Sequence, residues 1–202
     1  MSVARWLKPQ DSLFNLTSKL RGKLLSNCLL GIGSALLAVV AGSYARTFAH
    51  QRFLMHAWQA QNELAKNLST NDLGLTRLTI PAIHLDVILA EGTSQHSLSL
   101  GPGHLTHTAI PGNPGNAVIA AHRDTFFRHI AELKVGDDIY IERNGQRYRY
   151  VVTGRKIVSP EDISVLEGST QSRLTLITCY PLHFIGPAPK RLVVFAMQVQ
   201  RV

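Results

Sequence analysis

"RLTLITCYPLHFIGPAPKRLVVF", Arg173 to Phe195, is the stretch on which the reading of the fold turns. Leu174 and Leu176 alternate with Thr175 and Ile177, the period of two that marks a half-buried strand. Tyr180 and Pro181 then end it, because proline has no N–H to give to a ladder. Eleven residues past Cys179 intervene before Arg191 opens a second apolar run, "RLVVFAMQV". If the two runs pair as a hairpin, Cys179 and Arg191 lie at the same end of a sheet. There a rigid strand opens into a loop and side chains are free for chemistry.

Working outward, short strands separated by turn residues continue on the N-terminal side. "TRLTI", "DVILA", "NAVIAA", "DDIYIER" and "QRYRYVVTGRKIV" each read as strands. The "RNGQ" between the last two is a hairpin turn, since Asn-Gly readily takes the positive φ angles required. "SLSLGPG" and "RHIAELK" supply short helical turns. Seven or more strands in about 125 residues, with little helix, imply a mostly β protein. The expected architecture is a closed β-barrel of about eight strands with short helices.

The N-terminal part follows other rules. "LLSNCLLGIGSALLAVVAGSYA", Leu24 to Ala45, is 22 residues without a charge. As a helix it would reach roughly 33 Å, enough to cross the hydrocarbon core of a bilayer. A buried core helix of that length should show one polar face, and this run shows none. Residues 1–27 carry Arg5, Lys8, Lys19, Arg21 and Lys23 against Asp11. The positive-inside rule then puts the N-terminus in the cytoplasm and everything after Arg46 outside. "SYA" resembles a signal-peptide cleavage site, but the run exceeds a usual signal core, which favours a retained anchor. "RTFAHQRFLMHAWQAQNELAKNL", Arg46 to Leu68, lacks glycine and proline and repeats apolar residues at helical spacing. It reads as a juxtamembrane helix, packed on the domain or lying with Phe48 and Trp58 at the interface. "STNDLG" (Ser69 to Gly74) is a linker. The expected organisation is a cytoplasmic tail over 1–23, a membrane-spanning signal anchor over 24–45, a juxtamembrane helix and linker over 46–74, and the β-barrel over 75–202. That makes a single-pass membrane protein with its lipid contact confined to the N-terminal helix.

Charge and cysteine usage exclude several classes. Lys and Arg outnumber Asp and Glu by 21 to 13, but the tail before the membrane run holds half of the +8 excess. The rest is scattered without a nucleic-acid motif, so nucleic acid is not an expected partner. Of the two cysteines, Cys28 falls in the apolar run. Cys179 therefore has no partner within the domain for a disulfide, and no thiolate cluster exists to hold zinc. A lone exported thiol is exposed to oxidation, so its presence implies a use or deep burial.

A use is available. In "GNAVIAAHRDTFFR" the run "AVIAA" is a buried strand and His122 stands at its end. Three strand-terminal residues thus offer complementary chemistry. A free thiol, with a pKa of about 8.5, is only a few per cent thiolate at neutral pH and needs activation. Histidine exchanges a proton with it and then protonates a leaving group. Arginine, always charged, stabilises a developing oxyanion or holds a substrate carbonyl. Each residue also has a plainer reading: a small buried hydrophobe, a core or surface histidine, a solvated edge charge.

"TLITCYPLHFIGPAPKRLVVFA" together with "GNAVIAAHRDTFF" resembles the sortases, specifically their short class D type. The family's Thr-Leu-x-Thr-Cys signature is matched by Thr175, Leu176, Ile177, Thr178 and Cys179, and its downstream arginine by Arg191. Its upstream His-Arg-Asp is matched by His122, Arg123 and Asp124. "LTIPAIHLDVILAEGTS" and "GPGHLTHTAIPGNPGNAVIAAH" keep the family's order of elements, and the resemblance covers Leu75 to Val202. Two departures stand out: Ala121 and His107 occupy positions where glycine is common. Neither removes a catalytic group, so both read as tuning.

The resemblance implies a cysteine transpeptidase. The Cys179 thiolate would attack the threonine carbonyl of an LPxTG-like C-terminal sorting motif in an exported protein. His122 would protonate the departing amine, and Arg191 would hold the oxyanion or the substrate backbone. An amine on the cell envelope or a pilin lysine would resolve the thioester. Asp124 and Thr178 would support the site. "SPEDISVLEGSTQSR" takes the place of the loop that reads the motif, with Ile163, Val165 and Leu166 as a possible groove floor or as plain packing. His104 and His183 flank the site in loops, either touching substrate or solvated. No cofactor is implied, and no carboxylate cluster resembles the calcium site that some members carry. Asp137 and Asp138 read as a turn before a strand. The contrasting reading is a catalytically weak, membrane-tethered β-barrel that binds peptides without turning them over.

Overall fold

Alternating apolar positions recur along the C-terminal strands, and they do what period-two patterns do: one set turns inward and the other outward. The computed structural model describes the backbone of residues 10–68, 74–184 and 186–201, with side chains over 23–61, 74–184 and 186–199. The basic tail over 1–23 and the linker over 69–74 lie almost wholly outside these side-chain spans. The chain forms two compact units, 1–46 and 47–202.

Helix α1 runs Gln10–Leu68, so the boundary between the units falls inside it. In the first unit its apolar residues, Leu24, Leu25, Leu29, Leu30, Leu36 and Leu37 among them, are exposed. Lys23–Gln61 contains a stretch long and apolar enough to cross a membrane.

The second unit carries a single sheet of nine strands: β1 (Arg77–Ile80), β2 (Leu85–Ile88), β3 (Ala90–Glu91), β4 (Gly103–His104), β5 (Asn116–Ala120), β6 (Asp138–Arg143), β7 (Gln146–Val158), β8 (Arg173–Tyr180) and β9 (Lys190–Arg201). Their order is β2-β1-β6-β7-β9-β8-β5-β4-β3. The two edge strands, β2 and β3, follow each other in sequence with only Leu89 between them, so the sheet is a nearly closed barrel. All seven strands read from the sequence are present. The two it did not give, β3 and β4, are two residues each, too short to show a period. The helical turns appear as α2 (Gln95–Leu100) and a 3₁₀ turn at Ile130–Glu132. The β6–β7 hairpin turns at Asn144 (φ 50°) and Gly145 (φ 72°), the left-handed pair that Asn-Gly favours.

Inward residues form the main core. Ile139 and Ile141 of β6, Tyr148 and Tyr150 of β7, Leu174 and Leu176 of β8, and Leu192 and Val194 of β9 meet there with Leu78, Ile80, Ile119 and Phe127. The β8–β9 sheet is also covered on its outer face. The β7–β8 connection carries a 3₁₀ turn at Ile163–Leu166 and lays Val165 against Val158 and Val193, with Leu166, Ile177 and Phe195 packed alongside. That is why Thr175 and Val193, which face outward by alternation, are nevertheless fully buried.

Residues 47–61 of α1 pack on this unit rather than standing apart from it. Gln51 brackets the edge strand β2: its Nε2 donates to Ile88 O at 3.3 Å and its Oε1 accepts from Ile88 N at 3.0 Å. The same Nε2 donates to Leu100 O at 2.8 Å. Trp58 is buried, with the Arg77 guanidinium 4.9 Å over its ring. Of the two placements open for Trp58, the helix packed on the domain is the one seen.

Candidate active site

Strands β8 and β9 are antiparallel, and their register pairs Cys179 directly with Arg191. Alternation sets the direction of both side chains. Ile177↔Val193 and Thr175↔Phe195 lie on the same face of the ladder, the outer one covered by the β7–β8 connection. Cys179 and Arg191 therefore share that face, one step beyond the cover, and both are half-buried. Directly opposite positions on antiparallel strands bring Cβ atoms to about 5 Å, within reach of one small group.

His122 arrives from the neighbouring strand. β5 runs parallel to β8 with Ala120 level with Ile177. The ladder continues one step further, where Ala121 N donates to Ile177 O at 3.2 Å. Continuing that register by one more residue brings His122 level with Cys179. Thr178, buried on the inner face, fixes the crossing: its Oγ1 donates to Ala121 O at 2.7 Å, so the carbonyl preceding His122 is hydrogen-bonded to the residue preceding Cys179. Asp124 is exposed and, among the described residues, makes no hydrogen bond or ion pair.

Arg191 is held by its own backbone surroundings, its Nη1 donating to Ala188 O at 3.2 Å and to Lys190 O at 3.0 Å. It pairs across β9 with Val158, the last residue of β7, so the β7–β8 connection starts beside it. Glu161 lies in that connection. Its exposed carboxyl is held below the usual range by the Ser159 hydroxyl and then by its own backbone N–H, with the charge of Arg191 acting in the same direction.

The groove candidates separate. Ile163 is 72% exposed, Leu166 is half-buried, and Val165 at 7% belongs to the packing under the connection. Asn116, which the sequence reading did not single out, anchors that segment from below. Its Nδ2 donates to Val165 O and Glu167 O, each at 3.1 Å, and its Oδ1 accepts from Thr175 Oγ1 at 2.6 Å. A polar residue opening an otherwise apolar strand was the signal available.

His183 is exposed in the β8–β9 connection. His104 was expected in a loop. It lies instead in β4 and is buried, because Glu91 of β3 and the β4–β5 connection supply partners for its ring. Nδ1 stands 3.0 Å from Glu91 Oε2, and Nε2 is 3.0 Å from Ala109 O and 3.1 Å from Thr108 Oγ1. It lines a cavity of about 320 Å³ with Leu75, Leu89, Glu91, Ile110 and Arg143. Arg143 closes the β6–β7 hairpin, whereas Arg191 pairs with the far end of β7, so this cavity lies away from the thiol.

The methyl of Ala121 is accommodated within the core, at 5% exposure. His107 takes φ 73°, the left-handed region that explains why glycine is common there. Asp137 and Asp138 are engaged locally: Asp137 Oδ2 accepts from Lys134 N at 2.8 Å, and Asp138 Oδ1 from Arg149 Nε at 2.8 Å. Among the described residues no three His, Cys, Asp or Glu side chains converge as a metal site would need.

A nearly closed barrel with a thiol, an imidazole and a guanidinium gathered at one rim defines a narrow class, and comparison with known proteins identifies it. The model of the sortase domain matches residues 78–199. The chain is 34% identical over 123 residues to Sortase D of Bacillus subtilis, covering 60% of this chain and 62% of that protein. Among solved structures, a Clostridium perfringens Sortase D5 transpeptidase superposes with a TM-score of 0.65 at 26% identity, over 75% of this chain and 99% of that one. Sortase C-1 of Actinomyces oris gives 0.58 at 32% identity, over 62% and 71%. The chain belongs to the sortase family and is class D-like. It spans less than two thirds of the length of the curated relatives it matches.

Proposed function

We propose that the chain is a membrane-anchored cysteine transpeptidase, with Cys179 as nucleophile, His122 as proton-transfer group and Arg191 as oxyanion or substrate holder. The observation that carries this reading is the register pair Cys179↔Arg191 on one face, with His122 one residue past the adjoining ladder. The substrate is an exported protein bearing an LPxTG-like sorting motif. The Cys179 sulfur bonds to the threonine carbonyl carbon, the C–N bond breaks, and the amine leaves with a proton from His122. An amine on the cell envelope or a pilin lysine then attacks the thioester, gives its proton to His122, and releases the thiolate. Arg191 holds the oxygen that becomes negative in both tetrahedral states. Favouring the amine over water requires a positioned acceptor.

The exposed apolar segment of α1, preceded by the basic residues of the tail, supports an anchor with the N-terminus in the cytoplasm. Asp124 would support His122 only after local rearrangement. Ile163 would line the groove, with Leu166 at its edge. His183 would sit at the rim, while His104 would act on substrate only through the strand that carries it.

The test uses the full chain in detergent micelles with a library of LPxTG-type peptides and hydroxylamine. Hydroxamate products, read by mass spectrometry, are expected from the native chain and not from Cys179→Ala. A native chain that forms no product and whose Cys179 ignores thiol probes would instead be the non-catalytic peptide-binding barrel.

A further inference from the structure

The connection between Cys179 and Arg191 is held by few groups. Arg123, next in sequence to His122, reaches across to it. Nη1 donates to Pro181 O at 2.9 Å and Nη2 donates to Gly186 O at 2.8 Å. The guanidinium also lies 5.8 Å from the centroid of Phe184, within cation–π range. Among the described residues from Pro181 to Pro189, the only other hydrogen bond to this connection's backbone comes from Arg191, to Ala188 O. Two arginine side chains therefore stand where a ladder or turn would otherwise hold the backbone.

We infer that Arg123 is a positioning residue that clasps the Cys179–Arg191 connection to the His122 segment and so sets the thiol–imidazole geometry. This rests on the transpeptidase reading above. Pro181 is two residues past Cys179, and Arg123 is one past His122, so a single side chain joins the nucleophile's strand end to that of its proton partner. The planar fork of arginine is what the site needs, since two carbonyls facing different nitrogens are met at once. Lysine, a point charge, can satisfy one carbonyl at a time. Because misplacement of reacting groups by about 1 Å can cost on the order of 100-fold in rate, losing the clasp acts on the chemical step rather than on substrate affinity.

The test compares the full native chain with Arg123→Ala and Arg123→Lys in micelles, using the peptide and hydroxylamine assay. Rates are expressed per Cys179 labelled by a thiol probe, and backbone amide exchange is followed by mass spectrometry. In Arg123→Ala, kcat is expected to fall about 10- to 100-fold with KM within about threefold. Exchange over residues 182–188 should rise at least about tenfold while β8 and β9 stay protected. Arg123→Lys should fall between the two and keeps the question answerable if the alanine variant folds poorly. An alanine variant with kcat within twofold of native, or with unchanged exchange in the connection, overturns the inference and leaves the transpeptidase reading intact. A native chain that makes no product sinks the transpeptidase reading and the positioning role with it, while exchange still reports whether the clasp exists.

Discussion

Thr178 shows how a single buried hydroxyl can serve a rim two positions wide. It faces the core, not the substrate, yet its bond to Ala121 O joins the residue before Cys179 to the residue before His122. Replacing it by valine keeps the volume and strands a buried carbonyl, a loss of about 1–3 kcal/mol. Thr178→Val should lower thermal stability by that amount and reduce kcat severalfold; a variant with lowered stability and native kcat would confine Thr178 to a structural role. Tyr150 allows a sharper test. Its ring is fully buried and its hydroxyl accepts from Gly112 N at 2.8 Å. Burial pushes the phenol up to about 12. The unfolded chain ionises near pH 10, so this tyrosine's contribution is complete below pH 10 and is lost as pH rises toward 12, by about 2–3 kcal/mol. Tyr150→Phe should start about 1–2 kcal/mol lower, because Gly112 loses its acceptor, and should lose less between pH 10 and 12. Equal slopes for the two chains in urea unfolding across that window would show that Tyr150 is not the group titrating. At this scale Cys179, His122 and Arg191 were legible because each closes or opens an apolar run. Arg123 and Asn116 were not, since what they bond lies 58 and 49 residues away in sequence.

At the level of elements, the parallel neighbour of β8 matters most. β5 and β8 are joined through a long excursion, and their in-register pairing delivers two strand ends to one rim. The sequence gives both strands from their periodicity but is silent on which strands are neighbours, because pairing depends on distant closure. The β7–β8 connection poses the opposite case. Its apolar residues Ile163, Val165 and Leu166 look alike in sequence, yet Asn116 pulls the carbonyls of Val165 and Glu167 down to the sheet and leaves Ile163 facing solvent. Asn116→Ala leaves these two carbonyls and the Thr175 hydroxyl without their partner, at a cost of about 2–4 kcal/mol. If the connection reads the sorting motif, KM for the peptide should rise about tenfold while kcat changes little. Unchanged KM in a folded Asn116→Ala chain would mean that substrate is read elsewhere.

For the molecule as a whole, the most consequential boundary is the one between the apolar stretch of α1 and the barrel. Composition ends the apolar run at Ala45 and begins the strands at Leu75, leaving the helix between them assigned to neither, and the compact unit starts at Thr47. The reason is physical: a helix amphipathic enough to lie at a membrane interface is also amphipathic enough to pack on a sheet, and periodicity does not choose between them. Here the edge of β2 makes the choice, since the N–H and C=O of Ile88, turned away from β1, need partners and Gln51 supplies both. The docked segment contributes the three Gln51 hydrogen bonds, a buried Trp58 and the acceptance of Leu75 N by Gln61 Oε1 at 3.1 Å. Taking about 1 kcal/mol for each hydrogen bond and about 2 for the indole, removal costs roughly 6 kcal/mol. In a unit of this size that corresponds to a fall in Tm of roughly 10–20 °C. A chain beginning at Thr47 should therefore melt well above one beginning at Leu75, and the shorter chain should self-associate through the bared β2 edge. Differential scanning calorimetry with light scattering on the two truncated chains decides it. Equal melting temperatures and a monomeric shorter chain would mean that the helix rests on the barrel without supporting it.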